Sequence, residues 1–157
     1  MTDNDQTDIS PEIPTGVIIV DHGSRRQESN EMLLKAAAAF QATSGYTIVE
    51  PAHMEIASPT IADAFEACVS KGAKRVVVFP YFLSPGKHWK HDIPALVAEA
   101  ASQHSGTQWL VTAPFGLHPQ MQQIIADRIS CCLAAATGGA VTACDVCEDA
   151  QACQLHS

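Results

Sequence analysis

The chain has 157 residues, of which 46% are hydrophobic and 17% are charged, and this balance is typical of one globular domain with a sizeable core. The formal net charge of −8 argues against a nucleic-acid-binding surface, because such a surface needs an excess of Lys and Arg. No apolar stretch approaches the roughly 20 residues that a membrane-spanning helix requires. We therefore expect neither nucleic acid nor a membrane as a partner.

The N-terminal residues are acidic and contain no Lys or Arg, a composition that matches neither a secretory signal nor a transit peptide. We expect residues 1–15 to form a disordered leader, residues 16–136 to form the folded domain, and residues 137–157 to form a cysteine-containing tail. The expected compartment is the bacterial cytoplasm, or a plastid stroma if a transit peptide has been removed.

Strand-like and helix-like segments alternate along the folded domain. Short apolar runs typical of strands buried on both faces lie at 16–21, 46–54, 75–82 and 108–113. Apolar residues at helical spacing follow each run, and they predict helices at 28–44, after an N-cap at Ser58, after an N-cap at Asp92, and at 118–136. The last helix is expected to face the core with Met121, Ile124, Ile125, Ile129 and Cys132.

This alternation predicts an α/β fold, a three-layer sandwich in which a β-α unit is repeated four times around a four-stranded parallel sheet. Ligands of such folds bind beyond the carboxyl ends of the strands. The segments that follow the strands should therefore hold the chemistry.

These segments contain five of the seven histidines and one notable carboxylate: His22, His53, His88, His91, His118 and Glu55. A single loop histidine is more often a solvated or capping side chain than a ligand. Several of them at one sheet edge can approach a common point, however. Neutral imidazole and carboxylate are ligands that Fe²⁺, Co²⁺, Ni²⁺ or Zn²⁺ accepts, so the pattern indicates a metal-handling site.

The same segments concentrate positive charge. Four of the nine Lys and Arg residues are found there: Arg25, Arg26, Lys87 and Lys90. In an acidic protein this local excess indicates an anionic ligand, while Phe82, Trp89 and Phe115 could supply apolar walls. A flat, hydrophobic molecule that carries several carboxylates and meets a metal ion would fit these features.

Three blocks carry a family resemblance: DHGSRRQESN, PAHMEIASPTI and VVVFPYFLSPGKHWKHDIP. In this order and spacing they resemble the short sirohydrochlorin chelatases of the class II chelatase family, over about residues 16–136. The cysteine tail is similar to that of the siroheme-pathway ferrochelatases of plants and cyanobacteria. The resemblance implies a lyase that inserts Fe²⁺, its substrate metal, into sirohydrochlorin with release of two protons, and that works as a homodimer of half-size units. It also implies a substrate with eight carboxylate side chains.

The resemblance also assigns roles to residues. It implies that His22 and His88 handle the metal and that Glu55 is the acidic residue of the site, so these three are the expected catalytic and metal-binding residues. His53 and His91 are second choices for accepting the pyrrole protons. The expected substrate contacts are Gly23, Ser24, Arg25, Arg26, His53, Lys87, Trp89, Lys90 and His91.

Five of the six cysteines lie between residues 131 and 153, whereas Cys68 falls on an apolar helical face. Four thiolates, from Cys132, Cys144, Cys147 and Cys153, could hold zinc or a two-iron two-sulfur (2Fe–2S) cluster. Their spacing does not separate these two, and the resemblance favours the cluster. Cys131 competes with Cys132 as the fourth ligand, and Cys132 could instead be a core thiol. The tail could also be a disordered, oxidisable segment.

Three other functions are open at this point. A chelatase of the same family could insert Co²⁺ or Ni²⁺, and a non-catalytic carrier of metal or tetrapyrrole would use the same ligands. A phosphoryl-transfer enzyme with His22 as nucleophile is disfavoured, because the negative charge of Asp21 would repel a phosphate.

Overall fold

The computed structural model describes residues 12–139, 144–147 and 153–157. The elements in chain order are β1 (Thr15–Asp21), α1 (Gln27–Ser44), β2 (Ile48–His53), α2 (Ile61–Ser70), β3 (Arg75–Pro80), α3 (Ile93–Ser102), β4 (Gln108–Val111) and α4 (Pro119–Ala136). A π-helical segment, His88–Asp92, leads directly into α3. Within the described ranges, every helix is too short or too polar to cross a membrane.

The chain divides into two compact units, the first ending at Gly116 and the second beginning at Leu117. The sheet and helices α1 to α3 belong to the first unit, and α4 and the clustered cysteines belong to the second. The predicted domain limits at residues 15 and 136 stay predictions, and most of the predicted leader, residues 1–11, lies outside the described residues.

The four strands form one parallel sheet in the order β2-β1-β3-β4. Residues 17–20 of the central strand β1 are buried, as expected of a strand covered on both faces. Leu33 and Ala37 of α1 pack on one face of the sheet, and α2 and α3 pack on the other through residues such as Phe65 and Val97. The predicted three-layer α/β fold is confirmed.

Two helix starts differ from the prediction. Helix α2 is capped by Thr60 and not by Ser58: the Thr60 hydroxyl accepts a hydrogen bond from Asp63 N–H, and the Asp63 carboxylate accepts one from Thr60 N–H. This reciprocal capping box satisfies two backbone donors at once, which a cap at Ser58 would not do for a helix that begins at Ile61. The predicted cap at Asp92 is also wrong, because Asp92 is already helical and makes no capping hydrogen bond.

Helix α4 does not bury the face that its sequence predicted. It contains no buried residue, and Ile124, Ile125, Ile129 and Leu133 are each about half exposed. The predicted inward-facing Cys132 is also exposed. Apolar periodicity shows that a helix has an apolar stripe, but it does not show which surface covers that stripe.

Candidate functional site

The ends of β1 and β2 come together at one edge of the sheet. Asp21 and His53 are paired across the two parallel strands. The backbone pairing continues beyond them, because Met54 N–H donates to the Asp21 carbonyl (2.8 Å) and Glu55 N–H donates to the His22 carbonyl (3.1 Å). The segments that carry His22 and Glu55 are thus held side by side by main-chain hydrogen bonds.

Gly23 permits this close approach. Its φ of +86° lies in the left-handed region that favours glycine. A Cβ at this position would lie only 1.9 Å from the Glu55 carbonyl oxygen. The glycine of the HGSRR motif therefore lets the chain turn directly after His22 while the Glu55 backbone passes against it.

Three of the predicted site residues meet at this edge. His22 Nε2 lies 2.8 Å from Glu55 Oε1, and both side chains are about half exposed. The rings of His22 and His88 are edge-to-face, with their centroids 5.0 Å apart. Two imidazoles from different loops and one carboxylate thus lie together, within reach of solvent.

His88 is oriented by a carboxylate four residues further along the chain. Its Nδ1 lies 2.7 Å from Asp92 Oδ2, so Nε2 is the ring nitrogen left for other partners. Both residues belong to the π-helical segment that precedes α3, and single π-helical turns often occur at functional sites. An imidazole whose second nitrogen is held by a carboxylate is a common arrangement for metal ligands.

His53 lies beneath the site and not in it. Its side chain is fully buried, and its Nδ1 lies 2.6 Å from Asp21 Oδ1. The expected contact between His53 and a substrate stays a prediction, but the ring has no exposed surface through which to make that contact.

The other expected substrate contacts separate into two groups. Ser24 shapes its own loop, since its hydroxyl accepts from Arg26 N–H and its backbone exchanges two hydrogen bonds with the Asn30 side chain. Trp89 is a half-buried anchor whose Nε1–H donates to the Thr112 carbonyl. The remaining side chains are exposed to solvent: Arg25, Lys87, Lys90 and His91. Arg26 is also exposed and lies 3.8 Å from Glu28.

Ile56 has an uncommon backbone conformation next to the site. Its φ is +73°, in a region that β-branched residues rarely adopt. Ala57 N–H closes a three-residue turn with a hydrogen bond of 2.8 Å to the Glu55 carbonyl. The side chain is 60% exposed, so the turn presents an apolar group to solvent beside Glu55.

The clustered cysteines lie in the second unit, with their own hydrogen-bonding pattern. Val146 N–H and Cys147 N–H both donate to Cys144 Sγ, and these backbone bonds lower the pKa of the Cys144 thiol. The pKa of Cys147 is raised by its hydrogen bond with Cys144, and the negative charges of Cys144, Cys153 and Cys132 add to this shift.

The His22–Glu55 pair at the sheet edge can share one proton, or it can lose that proton and bind a cation instead. Within residues 12–139, 144–147 and 153–157, no three His, Cys, Asp or Glu side chains converge closely enough to hold a metal ion. His22 and Glu55 instead face each other at hydrogen-bond distance. To take up an ion, these side chains would have to turn towards it, and their exposure leaves them room to do so.

A scan against protein-family models matches residues 16–131 to the CbiX family. The match covers the whole sheet except Thr15, the three segments of the site and most of α4. The chain belongs to the CbiX family.

Individual CbiX relatives agree with this membership. The sirohydrochlorin ferrochelatase of Arabidopsis thaliana chloroplasts is 53% identical over 142 residues, which cover 90% of this chain and 63% of that protein. The cobalt complex of the sirohydrochlorin chelatase SirB from Bacillus subtilis subspecies spizizenii superposes with a TM-score of 0.70 at 29% identity, over 74% of this chain and 50% of that one.

A third relative, a CbiX protein from Marinobacter aquaeolei VT8 assigned to cobalamin (vitamin B12) biosynthesis, superposes with a TM-score of 0.65 at 26% identity. That match covers 74% of this chain and 95% of the other. The chain thus spans about half to two thirds of the length of the first two relatives, but nearly all of the third.

Sequence reasoning missed three residues that the structure places at the site. The sequence predicts Asp92 to be a helix cap, but its i,i+4 spacing from His88 on a helix is a usable signal for a side-chain pair. Asp21 was considered only as a charge unfavourable to phosphate. Nothing in the sequence points to the backbone conformation of Ile56, because β-branched residues normally indicate extended or helical backbone.

We predict that Asp92→Asn weakens metal binding by His88. The amide can present its NH₂ group to Nδ1 and so change which nitrogen carries the proton, and the loss of such carboxylate partners lowers metal affinity by about 10- to 100-fold. Titration with Co²⁺, followed by visible absorption, measures the affinity. Glu31→Gln, which neutralises an exposed carboxylate on α1, is the control, and equal affinities for the two variants would contradict the role of Asp92.

Proposed function

We propose that this protein is a sirohydrochlorin ferrochelatase, which inserts Fe²⁺ into sirohydrochlorin to give siroheme and releases two protons. The observation that carries the proposal is the meeting of His22, Glu55 and His88 at the carboxyl edge of the sheet. The 53% identity with the Arabidopsis thaliana ferrochelatase supports iron as the substrate metal.

In this proposal His22 and His88 bind the incoming Fe²⁺ loosely and deliver it to one face of the macrocycle. Neutral imidazole suits a borderline divalent cation. Asp92 holds Nδ1 of His88, so Nε2 is the nitrogen that faces the ion. Because the two rings come from separate loops and are partly exposed, the ion can enter from solvent and leave towards the ring.

Glu55 accepts a pyrrole proton in this proposal. Its carboxylate already lies at hydrogen-bond distance from His22, so a proton taken from the macrocycle can pass between the two groups and on to water. Insertion replaces two N–H bonds with bonds to the metal and leaves the oxidation state of iron unchanged. The protein therefore needs a proton acceptor and a metal-holding group, and it needs no oxidant.

The exposed basic side chains supply the attraction for the substrate. Arg25, Arg26, Lys87 and Lys90 lie on the two loops that carry His22 and His88, where they can bind the peripheral carboxylates. Binding energy gained at the periphery can hold the macrocycle bent, which exposes the nitrogen lone pairs to the metal. The exposed Ile56 offers an apolar contact for the ring beside Glu55.

Insertion of cobalt is the second candidate reaction, because SirB, which has the same fold, was crystallised with cobalt. A non-catalytic carrier of metal or tetrapyrrole is the third possibility. The turnover assay below distinguishes all of these.

We predict multiple turnovers when the purified protein is incubated anaerobically with sirohydrochlorin and Fe²⁺. The insertion rate should exceed the rate of the uncatalysed reaction, and it should also exceed the rates with Co²⁺ and Ni²⁺. The absorption change of the macrocycle measures insertion. A rate no higher than that of uncatalysed insertion would indicate a carrier, and a faster rate with Co²⁺ would indicate a cobaltochelatase.

Variants of the site test the assigned roles in the same assay. Glu55→Gln should lower the insertion rate by about 10²- to 10⁴-fold, the usual range for loss of a general base. His22→Ala and His88→Ala should also weaken Co²⁺ binding. His104→Ala, which changes a histidine that stacks on Phe65, is the matched control, and near-normal insertion by His22→Ala or His88→Ala would contradict the proposal.

We also propose that Cys132, Cys144, Cys147 and Cys153 hold a 2Fe–2S cluster, with zinc as the alternative. Two backbone N–H groups donate to Cys144 Sγ, and hydrogen bonds to ligand sulfurs are typical of clusters. No three of these described thiols converge closely enough to hold a metal ion, so the segments that carry them would have to draw together around a cluster. Cys132 is the proposed fourth ligand, and Cys131 is the alternative. A bound cluster would supply redox chemistry, and metal insertion makes no use of it.

We predict charge-transfer absorption bands in the visible spectrum of anaerobically purified protein. Cys147→Ser should abolish these bands, whereas Cys131→Ser should leave them in place. Metal analysis completes the experiment, because bound zinc without visible bands would refute the cluster.

The exposed stripe of α4 supports a homodimer of half-size units. Ile124, Ile125, Ile129 and Leu133 present a row of apolar side chains, which needs a partner surface. The chain matches only half of the longer SirB, and a second copy would supply the other half. For the compartment we propose the bacterial cytoplasm, or a plastid stroma, since the Arabidopsis thaliana relative is chloroplastic.

We predict that sedimentation equilibrium gives twice the chain mass of 16.7 kDa. The double variant Ile125→Glu/Ile129→Glu should sediment as a monomer, because two charges would enter an apolar interface. Gln123→Glu, which adds a charge on the other side of α4, is the control. A monomeric unmodified protein would contradict the dimer.

A further inference from the structure

His53 is the one buried polar side chain among residues 12–139, 144–147 and 153–157. Its Nδ1 lies 2.6 Å from Asp21 Oδ1, while its Nε2 has no hydrogen-bond partner in the described part of the chain. A buried polar atom without a hydrogen-bond partner lowers stability. An apolar side chain at this position on β2 would avoid that cost, so stability alone does not account for a histidine here.

The proposed reaction does not account for it either. The ring has no exposed surface, so it touches neither a macrocycle nor an ion in solution. Among the described residues, the one polar partner of the ring is Asp21, the residue that immediately precedes His22.

The Asp21 carboxylate reaches past His22 and bonds to the backbone of the residue that follows it. Asp21 Oδ1 receives the Gly23 N–H at 3.0 Å as well as the His53 contact. A carboxylate of residue 21 that bonds to the amide of residue 23 closes a tight local turn whose central residue is His22. The ring Nδ1–H of His53 donates to that carboxylate and holds it in place from below.

Main-chain hydrogen bonds complete the arrangement. Met54 N–H and Glu55 N–H bond to the carbonyls of Asp21 and His22, and these two donors directly follow His53 in the chain. The backbone of His22 is therefore held on both sides by the segment that carries Glu55. The distance of 2.8 Å between His22 Nε2 and Glu55 Oε1 depends on the register that these backbone hydrogen bonds set.

We infer that Asp21 and His53 form a positioning pair, which holds the His22 turn in the geometry that lets His22 and Glu55 act on one ion. The inference rests on the proposed role of His22 as a metal ligand. Asp21 and His53 contact neither the ion nor the macrocycle, and they act through the backbone of residues 22 and 23.

The contact between His53 and Asp21 requires an N–H donor at one position of the residue 53 side chain, and substitutions can test this requirement. Only the N–H at the Nδ1 position is used, and the amide nitrogen of Asn can occupy that position, whereas the longer Gln places its amide near the Nε2 position. His53→Asn should therefore keep the contact with Asp21, and His53→Gln and His53→Leu should lose it. Phe65→Leu, a change in the buried core on the α2 side of the sheet, serves as a control for general loss of stability.

The affinity of the protein for Co²⁺, measured without the macrocycle, reports how well His22 is positioned. His53→Leu and His53→Gln should bind Co²⁺ at least about tenfold more weakly and with altered visible bands, as happens when the support of a ligand is removed. His53→Asn should bind with near-normal affinity and normal bands. Phe65→Leu should melt at a lower temperature and keep the normal cobalt spectrum.

Normal affinity and normal bands in His53→Leu and His53→Gln would overturn the inference, and so would equal losses in His53→Asn and His53→Gln. If the unmodified protein bound no Co²⁺ through His22, as judged by His22→Ala, the pair would have no ligand to position and the inference would fail. Cobalt binding that depends on His53 without turnover of sirohydrochlorin would instead refute the proposed function and support the positioning pair.

Discussion

The parallel pairing of β1 with β2 is the interaction on which the site depends. It sets Asp21 opposite His53 and continues past the strand ends through the hydrogen bonds of Met54 and Glu55. His22 and Glu55 come from segments about thirty residues apart, and neither segment alone could hold its side chain in place. A shift of one residue in this register would turn every side chain of β2 to the other face of the sheet, and His53 would then no longer face Asp21.

Carboxylates support the histidines of the site in two different ways. Asp92 contacts His88 directly from the next turn of the helix, whereas Asp21 bonds to the Gly23 amide and to the buried His53. Asp92 orients the His88 ring, and Asp21 orients the backbone turn at His22. Both leave the outward parts of His22 and His88 partly exposed, which suits groups that must receive an ion and then release it.

The apolar surface of α4 and the cysteine cluster belong to the second unit. Arg128 of α4 forms a two-point ion pair with Asp145, at 2.5 and 2.8 Å, and this bond holds the pKa of the Asp145 carboxyl at about 2. The pair connects the helix that carries Cys132 to the segment that carries Cys144 and Cys147. The same stretch of chain thus offers both an apolar stripe for association and a group of thiols.

The sequence by itself determined the class of fold, and it predicted where a metal site would lie. Alternating β-branched runs and amphipathic segments predict a parallel sheet, because each pattern can bury its apolar face in only one type of element. The HGSRR and GKHWKHD motifs predict a metal site at the strand ends. Tertiary structure decided which of the predicted residues meet. It joined His22 to Glu55, buried His53, and left the stripe of α4 exposed. Periodicity shows which side of an element is apolar, but strand register and the packing between distant segments determine what that side touches.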